Sequence, residues 1–143
     1  MPYIRVNIHL VWSTKNRIPY LDTPQFRQEV WNHIFKNGRE KGIFIECING
    51  FTDHCHCIIS LSADQCISKV VQLIKGESSF WINKNYELST KFEWQDEYFA
   101  VAVAEPTISN VKDYIHNQEK HHQAYSFEHE YQQFINKYGF KEG

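Results

Sequence analysis

The sequence is poor in residues that break or loosen a chain. Of its 143 residues only 6 are glycine and 4 are proline, which excludes collagen-like, low-complexity and disordered polypeptides. No apolar run approaches the ~18–20 residues a membrane helix needs. No charged start followed by an apolar stretch reads as a signal peptide, so a cytoplasmic chain with no membrane contact is expected. Paired C-x-x-C spacing is also missing. The cysteines (Cys47, Cys55, Cys57, Cys66) therefore suit neither a zinc ribbon nor a dithiol redox motif, and free thiols in a reducing compartment are expected. There is no basic excess either: 15 Lys and Arg face 17 Asp and Glu, a net charge of −2. That argues against the broad basic footprint of many nucleic-acid binders. The balance is uneven, however, at +4 over residues 1–45 and −6 over residues 46–143.

What is abundant is core-forming material, with 42% hydrophobic and 15% aromatic residues. No linker, repeat or charge run divides the chain, and residues 1–143 read as one domain. Residues 3–13 alternate, with Ile4, Val6, Ile8 and Leu10 on one face, as a strand does. Thr23-Pro24 opens a helix that Gly42 closes. Strands at 43–49 and 54–61 form a hairpin, and a helix spans about 63–83. A strand follows near 98–104, a third helix starts at Pro106-Thr107, and a last helix runs from Ser126 to Gly139. The order β-α-β-β-α-β with a helical tail predicts an α+β, ferredoxin-like (RRM-like) antiparallel sheet with helices on one face. The tail carries the late motif described next.

Two short motifs bear chemistry. In Asp53-His54-Cys55-His56-Cys57, strand alternation sends His54 and His56 to one face and Cys55, Cys57 and Ile59 to the other. One zinc ion cannot easily gather ligands from both sides, so a zinc knuckle is disfavoured. The histidines suit either a shared metal on an open sheet face or an ordinary cross-strand pair. In Tyr114-Ile115-His116-Asn117-Gln118, Tyr114 and Gln118 share a helix face one turn apart. Alone, that is equally an amphipathic helix with an interfacial tyrosine. Together the motifs define a chemistry. A phenol with a pKa near 10 is a poor nucleophile at neutral pH. It becomes useful where a cation polarises a phosphate. Two imidazoles and an amide oxygen would hold such a cation without charge, leaving room for phosphate oxygen and water.

With these motifs in place, the chain resembles the HUH single-tyrosine transposases of the insertion-sequence 200/605 type and their relatives associated with repetitive extragenic palindromes. The likeness rests on HLVWSTKNR at 9–17, TDHCH at 52–56, KGESS at 75–79, WQDEYFAVAV at 94–103 and YIHNQEKHH at 114–122, in family order. Cys55 departs from the usual bulky hydrophobe between the histidines. The resemblance implies that His54, His56 and Gln118 hold a divalent metal, Mg²⁺ or Mn²⁺, and that Tyr114 attacks the scissile phosphate. It implies a covalent 5′-phosphotyrosine intermediate on single-stranded DNA with a hairpin at the element ends. It further implies a homodimer, in which the helix carrying Tyr114 can complete either its own site or the partner's, and a protein that is nucleoid-associated when bound to DNA. Lys15, Arg17 and Lys75 match family segments and are expected to contact DNA. Trp94, Tyr98 and Phe99 suit either base stacking or core packing, and His9 a sheet-face or core role. His121 and His122 are expected at a solvated helix end. The competing reading is a domesticated or non-catalytic single-strand-binding module on the same fold, for which the set His54, His56, Tyr114 and Gln118 would serve no purpose.

Overall fold

The structure, a computed structural model, describes residues 3–122 and 126–139, without the Phe134 side chain. The expected unit of 1–143 therefore includes positions outside the described residues. Four antiparallel strands, β1 (Val6–Ser13), β2 (Phe44–Phe51), β3 (His54–Leu61) and β4 (Phe99–Val103), lie in the order β2-β3-β1-β4. Helices α1 (Pro24–Glu40) and α2 (Ile67–Asn85) pack on one face, as the α+β ferredoxin-like pattern predicts. The Thr23 hydroxyl accepts a hydrogen bond from Phe26 N at 3.2 Å, with proline in the first turn, and Gly42 ends the segment at φ +80°. At this φ a side chain would be strained, which is why glycine stops the helix there.

The main core is built from alternate strand residues. Ile8, Leu10 and Trp12 of β1 and Cys55, Cys57 and Ile59 of β3 meet Val30, Trp31 and Ile34 of α1 and Val70, Val71 and Ile74 of α2. The first strand is shorter than its alternation predicts. Ile4 lies before it and Val6 is its first residue, and they are 45% and 39% exposed. The second helix starts four residues later than expected. The Gln65 side chain spans the preceding turn, accepting from Ser62 N and donating to the Gly42 carbonyl, each at 2.9 Å. Trp94 belongs to this core, edge-on to Trp12, and its indole N–H donates to the Ser78 hydroxyl at 2.8 Å.

The other face is also covered. Helices α3 (Ile108–His116), α4 (Gln118–His122) and α5 (Phe127–Tyr138) follow β4 and fold back over it. Ile115 of α3 packs with Cys47 and Ile58 in a second, smaller core. Ser126 caps α5 by accepting from His129 N, and Gly139 ends it in the left-handed region at φ 55°. Among the described residues no helix is long and apolar enough to cross a membrane.

The hairpin between β2 and β3 depends on one glycine. A Cβ on Gly50 would lie 2.1 Å from the His54 carbonyl oxygen and 2.9 Å from the Trp31 ring, and the first of these is backbone that cannot swing away. Gly50→Ala should therefore cost about 3 kcal/mol or more, read as a lower urea midpoint. A loss below about 1 kcal/mol would mean that the hairpin accommodates the methyl group.

Candidate active site

Strand alternation sets the site's base. Cys55 and Cys57 are buried in the helix-packed core, while His54 and His56 point to the opposite face, so no single ion reaches both pairs. The histidines do not lie on an open face as expected. Both are 0% exposed, because α3, α4 and α5 roof them over. Their rings meet edge-on at 77° rather than in parallel.

The roof is anchored from the sheet. Asn49 of β2 donates its amide to the carbonyls of Ile115 (3.1 Å) and His116 (3.2 Å), at the end of α3. The helix breaks at Asn117, so Tyr114 and Gln118 belong to successive helices rather than one. Gln118 still directs its NH₂ toward the Tyr114 carbonyl at 3.4 Å. Its oxygen therefore faces His54 Nε2 at 2.9 Å and His122 Nε2 at 3.1 Å. Arg27 of α1, 5% exposed, grips α4 from outside through Glu119, at 3.1 Å from Nε and 2.7 Å from Nη2.

At the centre lies Glu130 of α5, 1% exposed. Its Oε1 accepts from His56 Nε2 at 2.8 Å and is 3.6 Å from His54 Nε2. Its Oε2 accepts from the Tyr114 hydroxyl and lies 3.2 Å from His121 Nε2 and 3.3 Å from His122 Nε2. Phe127, one turn earlier on α5, stacks on the His54 ring at 4.4 Å.

Burial governs the charges. It would raise the Glu130 carboxyl, but hydrogen bonds from His122 and His56 outweigh it and hold the group below the usual carboxylate range. Burial lowers His56 to about 4 and His9 to about 3, and the His56 ring beside it adds to the effect on His9. Burial first and Glu130 second push the Tyr114 phenol well above its ordinary value. At neutral pH the Glu130 carboxylate is thus anionic beside a neutral His56 ring and a neutral Tyr114 phenol.

The donor set fits a divalent cation. His54 Nδ1 donates to Asp53 at 2.9 Å, so in the neutral ring Nε2 carries a lone pair, and it faces the oxygen of Gln118. Two acceptors turned toward one another satisfy a cation and not each other. Ligand atoms of His54, His122 and Glu130 lie within 4.8 Å of one another, close to the ~4 Å that opposite ligands of one ion span. His9 Nε2 contacts His56 Nδ1 at 2.9 Å and stacks on it, so its sheet-face position makes it an orienting partner of that ring.

The structure thus brings together His54, His56, Tyr114 and Gln118 from the sequence motifs. It does not bring Lys15, Arg17 or Lys75 to them. Lys15 pairs with Glu93 at 3.3 Å on the surface. Arg17, at φ 54° in the turn after β1, pairs with Glu128 and lies over the Phe127 and Tyr131 rings at 5.5 and 5.1 Å. Lys75 sits on the α2 side, where its ammonium donates to the carbonyls of Gln95, Asp96 and Glu97 at 2.6, 3.2 and 3.1 Å. Burial lowers it to about 8. The solvated helix end expected for His122 is not found, since its side chain is 2% exposed inside the cluster. Glu130 is the residue that sequence reasoning missed. Its one signal is an acid set beside Phe127 and Tyr131 on the apolar stripe of the last helix.

The family model for "Transposase IS200 like" matches residues 3–118. The chain belongs to the IS200-like transposase family. No curated protein matches it. The solved structures that share the fold of this IS200-like transposase include these two. One is a candidate transposase of Deinococcus radiodurans R1, at 20% identity and TM-score 0.65, over 82% of this chain and 95% of that one. The other is a REP-associated tyrosine transposase bound to a REP hairpin, at 23% identity and TM-score 0.62, over 85% and 72%. The family match ends at Gln118, so His122 and Glu130 lie beyond it.

Because His56 and His9 are held below their unfolded value near 6.5, the stability they contribute is present above that value. It is lost as pH falls toward about 4 and 3. In EDTA the urea midpoint should fall as pH drops from 6.5 to 4, His56 alone accounting for about 3 kcal/mol. His56→Asn should flatten this slope, and an unchanged slope would show that His56 titrates freely.

Proposed function

We propose that this transposase cleaves and rejoins single-stranded DNA with Tyr114 as its nucleophile and a divalent metal held by His54, His56 and Gln118, with Glu130 and His122 added to the set. The observation that carries this reading is the buried carboxylate of Glu130, which accepts from the Tyr114 hydroxyl on one oxygen and from His56 on the other.

That division of oxygens gives each residue a task. Glu130 Oε2 orients the phenol and takes its proton as the Tyr114 Oη–P bond forms and the P–O3′ bond breaks, and the departing 3′ oxygen takes a proton from water. A phenol whose ionisation is suppressed by burial needs such a base at the moment of attack. Glu130 Oε1, the two strand imidazoles and the Gln118 oxygen would hold the ion, with Asp53 and His9 fixing the rings behind. When bound, Mg²⁺ or Mn²⁺ polarises the phosphate and offsets charge on the leaving oxygen. The product is a 5′-phosphotyrosine and a free 3′-hydroxyl, and the reverse attack rejoins ends without ATP.

The fold shared with a transposase bound to a REP hairpin supports a hairpin as the recognised DNA shape. The unit that does this work is the whole chain, 1–143, acting as a dimer in which each subunit furnishes its own Tyr114. Tyr114 lies against His56 of the same chain, ring centroids 5.6 Å apart. Lys15 and Arg17 reach phosphates by exchanging their surface carboxylate partners, since exposed pairs hold only about 0–1 kcal/mol. Lys75, tied to its three carbonyls, serves the DNA surface by shaping the 95–97 loop.

Tyr114→Phe should abolish the denaturant-resistant adduct with single-stranded DNA from the ends of the gene's own locus while leaving hairpin binding intact. An adduct formed by the Phe variant would move the nucleophile elsewhere. Separately, His122→Ala and Glu130→Gln should each weaken Mn²⁺ binding by roughly 10–100-fold in calorimetry. His129→Ala, on the exposed side of α5, should leave that affinity unchanged. Equal affinity in all variants would confine the ion to His54, His56 and Gln118.

A further inference from the structure

A cavity of about 600 Å³ opens beside the Tyr114 ring, between β4 at the sheet edge and helices α3 and α5. Its floor is Val101, paired across the sheet with His9, and its walls carry Asn110 and Tyr114 from α3 and Gln133 and Lys137 from α5. Glu130 closes the inner end, where the Tyr114 hydroxyl points. The cavity is thus apolar below, bounded by an aromatic ring on one side, and rimmed by two carboxamides and an ammonium. That is the chemistry of a nucleotide site. A valine floor and a phenol ring suit the faces of a planar base, carboxamides suit its donor and acceptor edge, and a lysine suits the following phosphate.

The direction of the transfer says which nucleotide belongs there. When Tyr114 Oη bonds to phosphorus and the P–O3′ bond breaks, the nucleoside bearing the 5′ oxygen remains attached, one phosphodiester from the hydroxyl. The departing nucleoside leaves in line, on the side away from Tyr114. We propose that the cavity between β4, α3 and α5 binds the base of the nucleotide immediately 3′ of the cut, with Asn110 and Gln133 reading its edge and Lys137 holding its next phosphate. This rests on the strand-transfer reading above and deepens it. Asn110 and Gln133 set base preference at one position, and Val101 sets how deep the base sits.

The cut position is first mapped from the wild-type adduct with single strands from the ends of the gene's locus. Three strands are then compared: intact, abasic immediately 3′ of the cut, and abasic immediately 5′ of it. The 3′ abasic site should lower kcat/KM for adduct formation at least tenfold, and the 5′ abasic site should have a much smaller effect. The double variant Asn110→Ala, Gln133→Ala changes only exposed rim residues, so folding is not at stake. It should level the rates of the four bases at the 3′ position. Val101→Trp, which fills the floor, should slow the intact strand while leaving the 3′-abasic strand near its wild-type rate. Indifference to the 3′ abasic site, or greater sensitivity at the 5′ position, overturns the inference while the transfer reading stands. A wild-type chain that forms no adduct with any strand overturns the transfer reading and the inference with it.

Discussion

The burial of one negative charge organises the chain's second half. An ionised carboxylate taken out of water costs several kcal/mol unless its lone pairs are filled. Glu130 fills them with the Nε2 groups of His56 and His122 and with the Tyr114 hydroxyl. These donors come from β3, α3 and α4, and the acceptor from α5. The last helix is therefore docked through a polar network as well as through the Phe127 ring on His54. Low dielectric strengthens each of these bonds and makes the loss of any one expensive, so the network holds the site in one geometry.

The two faces of the sheet divide the work. One side, against α1 and α2, is close-packed hydrocarbon and aromatic rings that hold the strands in register. The other carries every polar group of the candidate site, and the small core of Cys47, Ile58 and Ile115 steadies its roof. Arg27 joins the two, since it springs from α1, donates to the Leu21 carbonyl at 2.8 Å, and holds Glu119 of α4. The basic excess of the first 45 residues is largely spent in this way. Arg5, Lys15, Arg17 and Arg27 are all paired with carboxylates of the acidic later part, Glu105, Glu93, Glu128 and Glu119. Only the Arg27 pair has a buried member, and the exposed pairs of Arg5, Lys15 and Arg17 hold weakly enough to be exchanged.

Much of this was legible because it depends on short-range periodicity. Alternation alone separates His54 and His56 from Cys55 and Cys57, and the capping pair Thr23-Pro24 marks a helix start wherever it lands. The four-residue spacing of Tyr114 and Gln118 keeps them neighbours even though the helix breaks between them. Other features depend on partners far along the chain. The β-bulge between Ile45 and Cys47 puts Ile45 in the main core and Cys47 on the site face, against the simple alternation of that strand. Nothing near Arg17 in sequence shows that α5 will arrive above it. Nor does anything near Lys75 in sequence show that it will hold the carbonyls of a loop twenty residues on.

By itself the sequence determined the faces of β1 and β3, the start of α1 and the motif residues His54, His56, Tyr114 and Gln118, since each follows from local geometry and residue type. Only the tertiary structure decided that the histidine face is roofed and dry, that His122 turns inward, and that Glu130 completes the cluster. Burial and long-range contact are properties of the assembled layers. An acid near the end of the chain has an ordinary solvated charge until its helix closes over two imidazoles of the central strand β3.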